Sequence, residues 1–460
     1  MSVYTNGVVM GRNTGVTIPM SALANAHSWL GKSSYLTDPN GVATIDEFRI
    51  YNGVLSDFRV ALNAASGPAS YIADPGALTN LHLAVGSPVY SGQTLLATVT
   101  GDYVNLQGLN LAFANPALQS GNAAVLKVTG GLSLSAVGPG TTTLIATHGG
   151  LSATQSVTVV EVPSVLTHRY SFNETAGSTT FADSIGAANG TVIGTANLDG
   201  SGNLALPGGA AGANYAELPP NLIDGYSALT FEFWVRFGSN PNWGRLVDFG
   251  DTNPDTALGR YCIDFTPHSG NGPNGINFEI SDADPGFNHK EVAAGPPVLD
   301  NLPKMHLVLV YNPPGHYMSV YTNGVLMGVN YNTSIPLTAV ANSHSWLGRS
   351  SYLGDNCGVA TVDEFRIYDG ALGIRQIAAN YAAGSDVLPR PQVSITKSGA
   401  NVVLAWPDYI SGYAVQTAAT LDAGASWGPP VGTPAPVVTN GTYQVTLPIS
   451  TQPAFYRLVK

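Results

Sequence analysis

The feature that most constrains this chain is that part of it occurs twice. Met1–Gly7 (MSVYTNG) returns unchanged as Met318–Gly324, and His27–Tyr35 returns as His344–Tyr352 with Lys32 replaced by Arg349. Gly41–Tyr51 returns as Gly358–Tyr368 with only Ile45 changed, to Val362. The offset stays at 317 residues without an insertion, and roughly two-thirds of the first 55 positions are identical. That period is far above the 20–50 residues of a solenoid, so the repeating unit is a whole domain. The second copy has roughly 150 residues of strand-like sequence in front of it, and the first has none. The first copy therefore reads as the tail end of a longer modular protein, entered in the middle of a domain.

The expected fold class is all-β, a modular chain of β-sandwiches. At 460 residues the length suits about three domains. Only 10% of residues are charged, with 53 Gly and 31 Pro, which is the usage of many short strands and turns. A hydrophobic content of 44% is enough for several cores and argues against disorder. The net charge of −11 from few charges argues against nucleic acid, which requires a basic stripe, and against anionic lipid. It suits an extracellular or cell-surface bacterial protein and is compatible with divalent cations. No apolar run reaches the 18 or so residues of a membrane span. Cys262 falls in an expected strand, where it is either a buried thiol or half of a Cys262–Cys357 bridge.

Four segments are expected. Residues 1–62 hold a hairpin around Asn6-Gly7, a strand over Val42–Tyr51 and a helical tail over Leu55–Ala65. Too few strands are present to close a sandwich, so this piece is expected to pack poorly or to lean on a neighbour through open edges. Residues 63–162 end in two Thr/Val/Ile strands joined through Gly149-Gly150. Residues 163–385 carry roughly a dozen strands, the pattern of a jelly-roll sandwich. Residues 386–460, after Pro389 and Pro391, hold strands over Val402–Trp406, Gly412–Thr417, Thr442–Leu447 and Ala454–Leu458, a small terminal sandwich reminiscent of fibronectin type III.

Two resemblances add to this. The stretch Ser135–Val160 (SAVGPGTTTLIATHGGLSATQSVTVV) resembles the end of bacterial Ig-like domains of group 2, which act as spacers. FEFWVRF (Phe231–Phe237), GRLVDFGD, HLVLVYN, MSVYTNGVLMG, WLGRSSY and VDEFRIYDGAL make residues 163–385 resemble a laminin G-like domain of the concanavalin A-like lectin/glucanase superfamily. The resemblance is specific for fold and weak for ligand, because the superfamily includes lectins, adhesins, glycosidases and spacers.

Catalysis is not expected. The superfamily's glycosidases carry Glu-x-Asp-x-x-Glu on one strand, putting the carboxylates on one face. Here Glu232 stands alone in its strand, and Glu279 and Asp282 have the wrong spacing. No Gly-x-Ser-x-Gly elbow accompanies the histidines. His27 and His344 read as structural partners of Trp29 and Trp346. Asp251–Asp255 starts like an EF-hand but lacks the glycine and the last glutamate.

For a metal, Asp363 shares parity with Phe365 and Ile367, which places a carboxylate on the core side, where a cation or several donors must offset its desolvation. The resemblance implies a structural Ca²⁺ held by Asp363 with Asp183 and Asn189, hard oxygen ligands from an early loop. The alternative is that Asp363 caps backbone amides. For a glycan, the candidates are Trp243, Tyr261, Phe287 and His289, with Asn240, all in or near loops, while Trp234 reads as core. Asp282 and Asp284 belong either to that rim or to an ordinary solvated turn. The expected function is non-catalytic binding of an extracellular polysaccharide or glycoprotein. The alternatives are a structural spacer and accessory modules of an upstream carbohydrate-active enzyme.

Overall fold

The computed structural model describes every residue except 25, 36, 271–274, 409–412, 431, 433–434, 440–441 and 460. Gly412, expected to start a strand, lies outside the described residues. The chain divides into two compact units. One comprises Met1–Ser87, Thr94–Ser135 and Thr141–Val157, and the other Pro88–Gln93, Ala136–Gly140 and Thr158–Lys460. Nearly all described secondary structure is β, with two α-helices, α1 (Asp57–Ser66) and α2 (Ile374–Ala383).

In the first unit, Leu78–Ala84, Thr98–Tyr103 and Leu106–Asn110 form an antiparallel sheet. Alternation of apolar and polar residues puts Leu81, Val99 and Leu109 on its buried face, and Ala61 of α1 packs into the same cluster. Gly140–His148 and Leu151–Val160 are joined by Gly149-Gly150, both at positive φ, as a tight turn between twisted strands requires. The expected hairpin at Asn6-Gly7 forms between Ser2–Thr5 and Val8–Arg12. The expected strand over Val42–Tyr51 does not form: among the described residues from 13 to 56 no strand is assigned.

In the second unit, two eight-stranded antiparallel sheets face each other. The first sheet runs in the order Asn197–Leu198, Leu204–Gly209, Cys357–Asp369, Leu229–Phe237, Met305–Asn312, Tyr317–Thr322, Val325–Asn330, and Val165–Tyr170 also pairs with Cys357–Asp369. The second sheet runs Thr180–Phe181, Gly190–Ile193, Tyr215–Leu218, His344–Leu347, Val247–Thr252, Gly259–Thr266, Ile276–Ser281, Lys290–Gly295. Alternate residues of both sheets fill one continuous core. At its centre Phe365 stacks on Phe233 at 4.2 Å and lies 5.8 Å from both Tyr170 and Phe231. Residues 386–460 add a further small core around Leu404, Trp406, Val445 and Leu447.

The outer face of the first sheet is covered by α2 and is polar at one end. Glu232 is fully buried there, bonded to His306 (2.8 Å), Tyr368 (2.7 Å), Asn380 (2.8 Å) and Arg366 (3.2 Å). Burial alone would raise this carboxyl, but His306 and Arg366 outweigh it and hold it below the ordinary glutamate value. Trp234 is buried as expected, but on this outer face, against His306 at 4.4 Å. The two cysteines are free and buried, so the bridge is not made.

The repeat supplies a direct test of these contacts. Phe365→Ala should cost about 3–5 kcal/mol of stability by urea denaturation. Phe48→Ala, at the repeat-related position and 60% exposed, should stay within about 0.5 kcal/mol.

Candidate functional site

The outer face of the second sheet carries most of this domain's unusual chemistry. Asp248 lies opposite Asp264, and Asp264 opposite Glu279, on three neighbouring strands. On the other side the row continues through Trp346, opposite Asp248, to Glu217. Each acid alternates with core residues: Val247 and Phe249, Ile263 and Phe265, Phe278 and Ile280. Directly opposed like charges destabilise a sheet, and burial adds a desolvation cost. Here Asp248 and Asp264 are fully buried and Glu279 nearly so.

Three devices offset that cost. Arg245, itself buried, places Nε 2.7 Å from Asp264 and is held by the carbonyl of Trp243 at 3.0 Å. Lys290 reaches Glu279 at 2.7 Å, and Asn277 donates to the same oxygen at 2.6 Å. The backbone and hydroxyl of Ser351 both donate to Asp248. The compensation is incomplete. Burial pushes the Asp264 carboxyl well above the ordinary aspartate value despite Arg245, and Glu279 and Asp248 add to the rise. Asp248 is raised to about 6, again by burial first, against the pull of Arg245 and Ser351. Burial, followed by the charges of Asp264 and Asp248, also raises the Cys262 thiol well above its ordinary value. Burial thus raises two carboxyls of the row despite the partners they have.

Neighbouring positions across a sheet lie about 4.5–5.5 Å apart, close to the carboxyl separation in retaining glycosidases. Burial separates the two cases, because no substrate reaches Asp248 or Asp264 in this conformation.

Over the row stands an aromatic rim. The Arg245 guanidinium lies 5.5 Å from the Trp243 ring and 5.8 Å from Tyr352. Phe287, 56% exposed, stacks with Tyr352 at 6.4 Å. Lys290 sits 5.8 Å from Trp243, so two cations lie near that ring. Farther along, His344 stacks on Trp346 at 3.6 Å and bonds Ser351, while Arg349 covers Trp346 at 3.9 Å. Burial lowers His344 to about 4, so it is a neutral structural partner.

Of the expected glycan residues, Trp243 and Phe287 thus come together with Tyr352, which the sequence reading did not single out. His289 is exposed and pairs with Asp282 at 2.5 Å in the turn that carries Phe287. Tyr261 is half-buried at the strand end, 5.7 Å from Arg260, which bridges Asp251 (2.7 Å) and Asp284 (2.9 Å). Asn240 is buried, bonding the backbone of Gly238 and Val359 and the carboxylate of Asp300. Trp243 and Tyr261 both hold left-handed backbone (φ +65° and +47°), at a strain of about 1–2 kcal/mol for a residue with a side chain.

The residues expected to hold calcium do not fit a cation. Asp183 already accepts from His168 (2.7 Å) and from the amides of Arg169, Ile185 and Ala188 (each 3.0 Å). Burial would raise it, but these donors outweigh burial and hold it at about 2. The Asn189 side-chain oxygen accepts from the Asp183 amide at 3.0 Å. Asp363 is not on the core side: a bulge lets both Val362 and Phe365 point inward, and Asp363 pairs with Lys304 at 2.8 Å. Among the described residues no group of three or more His, Cys, Asp or Glu is placed to hold a metal ion.

With this geometry in view, residues 210–378 match the sequence profile of the concanavalin A-like lectin/glucanases superfamily, Laminin_G_3. No curated protein matches the chain. Among solved structures, the chain is similar to domain 4 of AbnA, an extracellular arabinanase from Geobacillus stearothermophilus, solved with arabinotriose. That match has 21% identity, covers 48% of this chain and 98% of that one, and has a TM-score of 0.34. The binding domain of botulinum neurotoxin serotype D/C matches at 14% identity over 57% of this chain and 69% of that one, TM-score 0.34. NanB sialidase from Streptococcus pneumoniae matches at 14% over 39% and 30%, TM-score 0.28.

Two outcomes follow for solution work. Asp248 titrates near 6 when folded and near 3.8 when unfolded, so the folded state binds more protons between those values and stability falls as pH rises from about 4 to 6. Asp248→Asn should flatten that part of the stability curve relative to the parent; an unchanged slope would place the proton elsewhere. The Tm of the protein should be the same in calcium and in chelator, and a rise of several degrees with calcium would restore the Asp183–Asp363 expectation.

Proposed function

We propose that residues 163–385 form a non-catalytic carbohydrate-recognition module of an extracellular or cell-surface protein, with the second-sheet rim as its contact surface. The observation that carries this reading is the rim of Trp243, Tyr352 and exposed Phe287 above the buried carboxylates Asp248, Asp264 and Glu279. Sugar rings present apolar C–H faces and hydroxyl edges, so their recognition needs flat aromatic surface beside charged and amide groups. Phe287 and Tyr352 offer the surface; Lys290, Arg260, Asp282 and His289 offer the polar partners. The match of residues 210–378 to a superfamily of lectins and glucanases supports the same reading. The left-handed backbone at Trp243 and Tyr261 is strain of the kind that collects at ligand sites.

The ligand class is an extracellular polysaccharide or glycoprotein glycan. Burial of Asp248 and Asp264 argues against turnover, which leaves adhesion or polysaccharide capture as the roles. A spacer role is the competing reading. The domain boundaries at 62, 162 and 385 and the Ig-like nature of 63–162 belong to this proposal. No helix among the described residues is long and apolar enough to cross a membrane.

The test is a glycan array probed with the intact chain, followed by titration of any hit. Phe287→Ala should weaken binding at least tenfold, about 1.4 kcal/mol, without changing Tm, because the ring is exposed. A folded chain that binds no glycan would favour the spacer.

A further inference from the structure

The jelly-roll holds a cavity that the second-sheet rim does not use. Its volume is about 350 Å³, at the lower end of the range of small-molecule sites. Its walls come from two loops. Residues 221–226 lead into Leu229–Phe237 of the first sheet, and residues 337–341 lead into His344–Leu347 of the second.

One buried side chain ties these loops together. The carbonyl of Asn342, fully buried, accepts from the Asn221 amide at 2.8 Å, and its side-chain oxygen accepts from the Ile223 amide at 3.1 Å. Its side-chain nitrogen donates to the Ser345 hydroxyl at 2.8 Å. Asn342 and Asn221 both hold left-handed backbone (φ +29° and +62°). The Ala341 amide is held by the Tyr261 carbonyl at 2.8 Å. The walls are thus fixed by hydrogen bonds before any ligand enters, which lowers the ordering cost of binding.

The lining has two parts. Ile223, Leu337 and Val340 are buried members of the sandwich core and give an apolar floor. Asp224 and Thr338 are exposed lining residues. Among the described residues the Asp224 carboxylate accepts no hydrogen bond and pairs with no cation. A Cβ added at Gly225 would meet nothing within 4 Å, so the space over this loop is open. No lysine, arginine or histidine lines the cavity.

That lining is selective. An ionised carboxylate only accepts hydrogen bonds, so the ligand must bring donors. A phosphate, a sulfate or a uronate would meet Asp224 as a like charge with no cation to offset it. A divalent cation needs more oxygen ligands than one carboxylate and one hydroxyl supply. A neutral sugar satisfies both parts: adjacent hydroxyls donate to the carboxylate, and the C–H face of the ring covers the floor.

We propose that this cavity is a second carbohydrate site, which takes one neutral sugar residue with Asp224 as the hydroxyl acceptor. It shares no lining residue with the rim of Trp243, Tyr352 and Phe287 and stands independently of it.

The experiment is saturation-transfer NMR on the intact chain, titrated with D-glucose, D-galactose, D-mannose and L-arabinose, and with D-glucuronate as the charged counterpart. At least one neutral sugar should bind. Asp224→Ala should weaken that binding at least tenfold, and Ala341→Trp, at an exposed lining position, should fill the cavity and abolish it. Should Ala341→Trp lower the Tm, Thr338→Trp blocks the cavity in its place. Phe287→Ala should leave the binding unchanged. Failure of all four neutral sugars with the folded chain would overturn the proposal. So would binding that survives the blocking variant, or glucuronate bound as tightly as glucose. Loss of binding with Phe287→Ala would also overturn it and assign the sugar to the rim. The rim reading fails separately, on a glycan whose titration Phe287→Ala does not change.

Discussion

The structure depends on the pairing of one strand, Cys357–Asp369, which is hydrogen-bonded along both edges to three others. Its apolar side chains alone do not make it a strand, because an extended backbone needs partners for its amides and carbonyls. The nearly identical text of Gly41–Tyr51 has the same side chains and lacks those partners, and it stays outside any sheet. Context from distant sequence, more than local propensity, decides which copy folds into a core. The same pairing positions the outer faces: it sets Glu232 beside Arg366 under α2 on one sheet, and its partner sheet lays out the carboxylate row.

The two outer faces handle buried charge in opposite ways. On the first sheet, Glu232 has four partners and is held ionised, so its charge is matched within a closed network. On the second, three carboxylates share Arg245 and Lys290, and burial raises Asp248 and Asp264 despite those cations. The second face carries the half-exposed rings of Trp243 and Tyr352 beside exposed Phe287. A buried row of carboxylates beneath a stacked rim gives that surface a polar floor and an apolar edge.

Much of this was legible in the sequence. Alternation, turn dipeptides and motif stretches such as Phe231–Phe237 gave the all-β sandwich, and the loop aromatics Trp243 and Phe287 both lie by Tyr352, Phe287 stacked with its ring and Trp243 near the Arg245 that neighbours it. The carboxylate row was not legible, since Asp248, Asp264 and Glu279 sit on three strands and only cross-strand register brings them side by side. A signal was present: each is an acid between two large apolar residues mid-strand. Asp363 was misplaced because parity counting assumes regular pleating, and the bulge there reverses it. The absent strand over Val42–Tyr51 was misjudged because propensity carries no information about a missing partner.

The most direct measurement is residue-resolved amide hydrogen exchange on the intact chain, comparing Ile45–Tyr51 with Val362–Tyr368. The account predicts strong protection of the second stretch and exchange near the unstructured rate in the first, although the two differ at one position. Equal protection of both would contradict the claim that partner strands, and not the repeated sequence itself, make the sandwich.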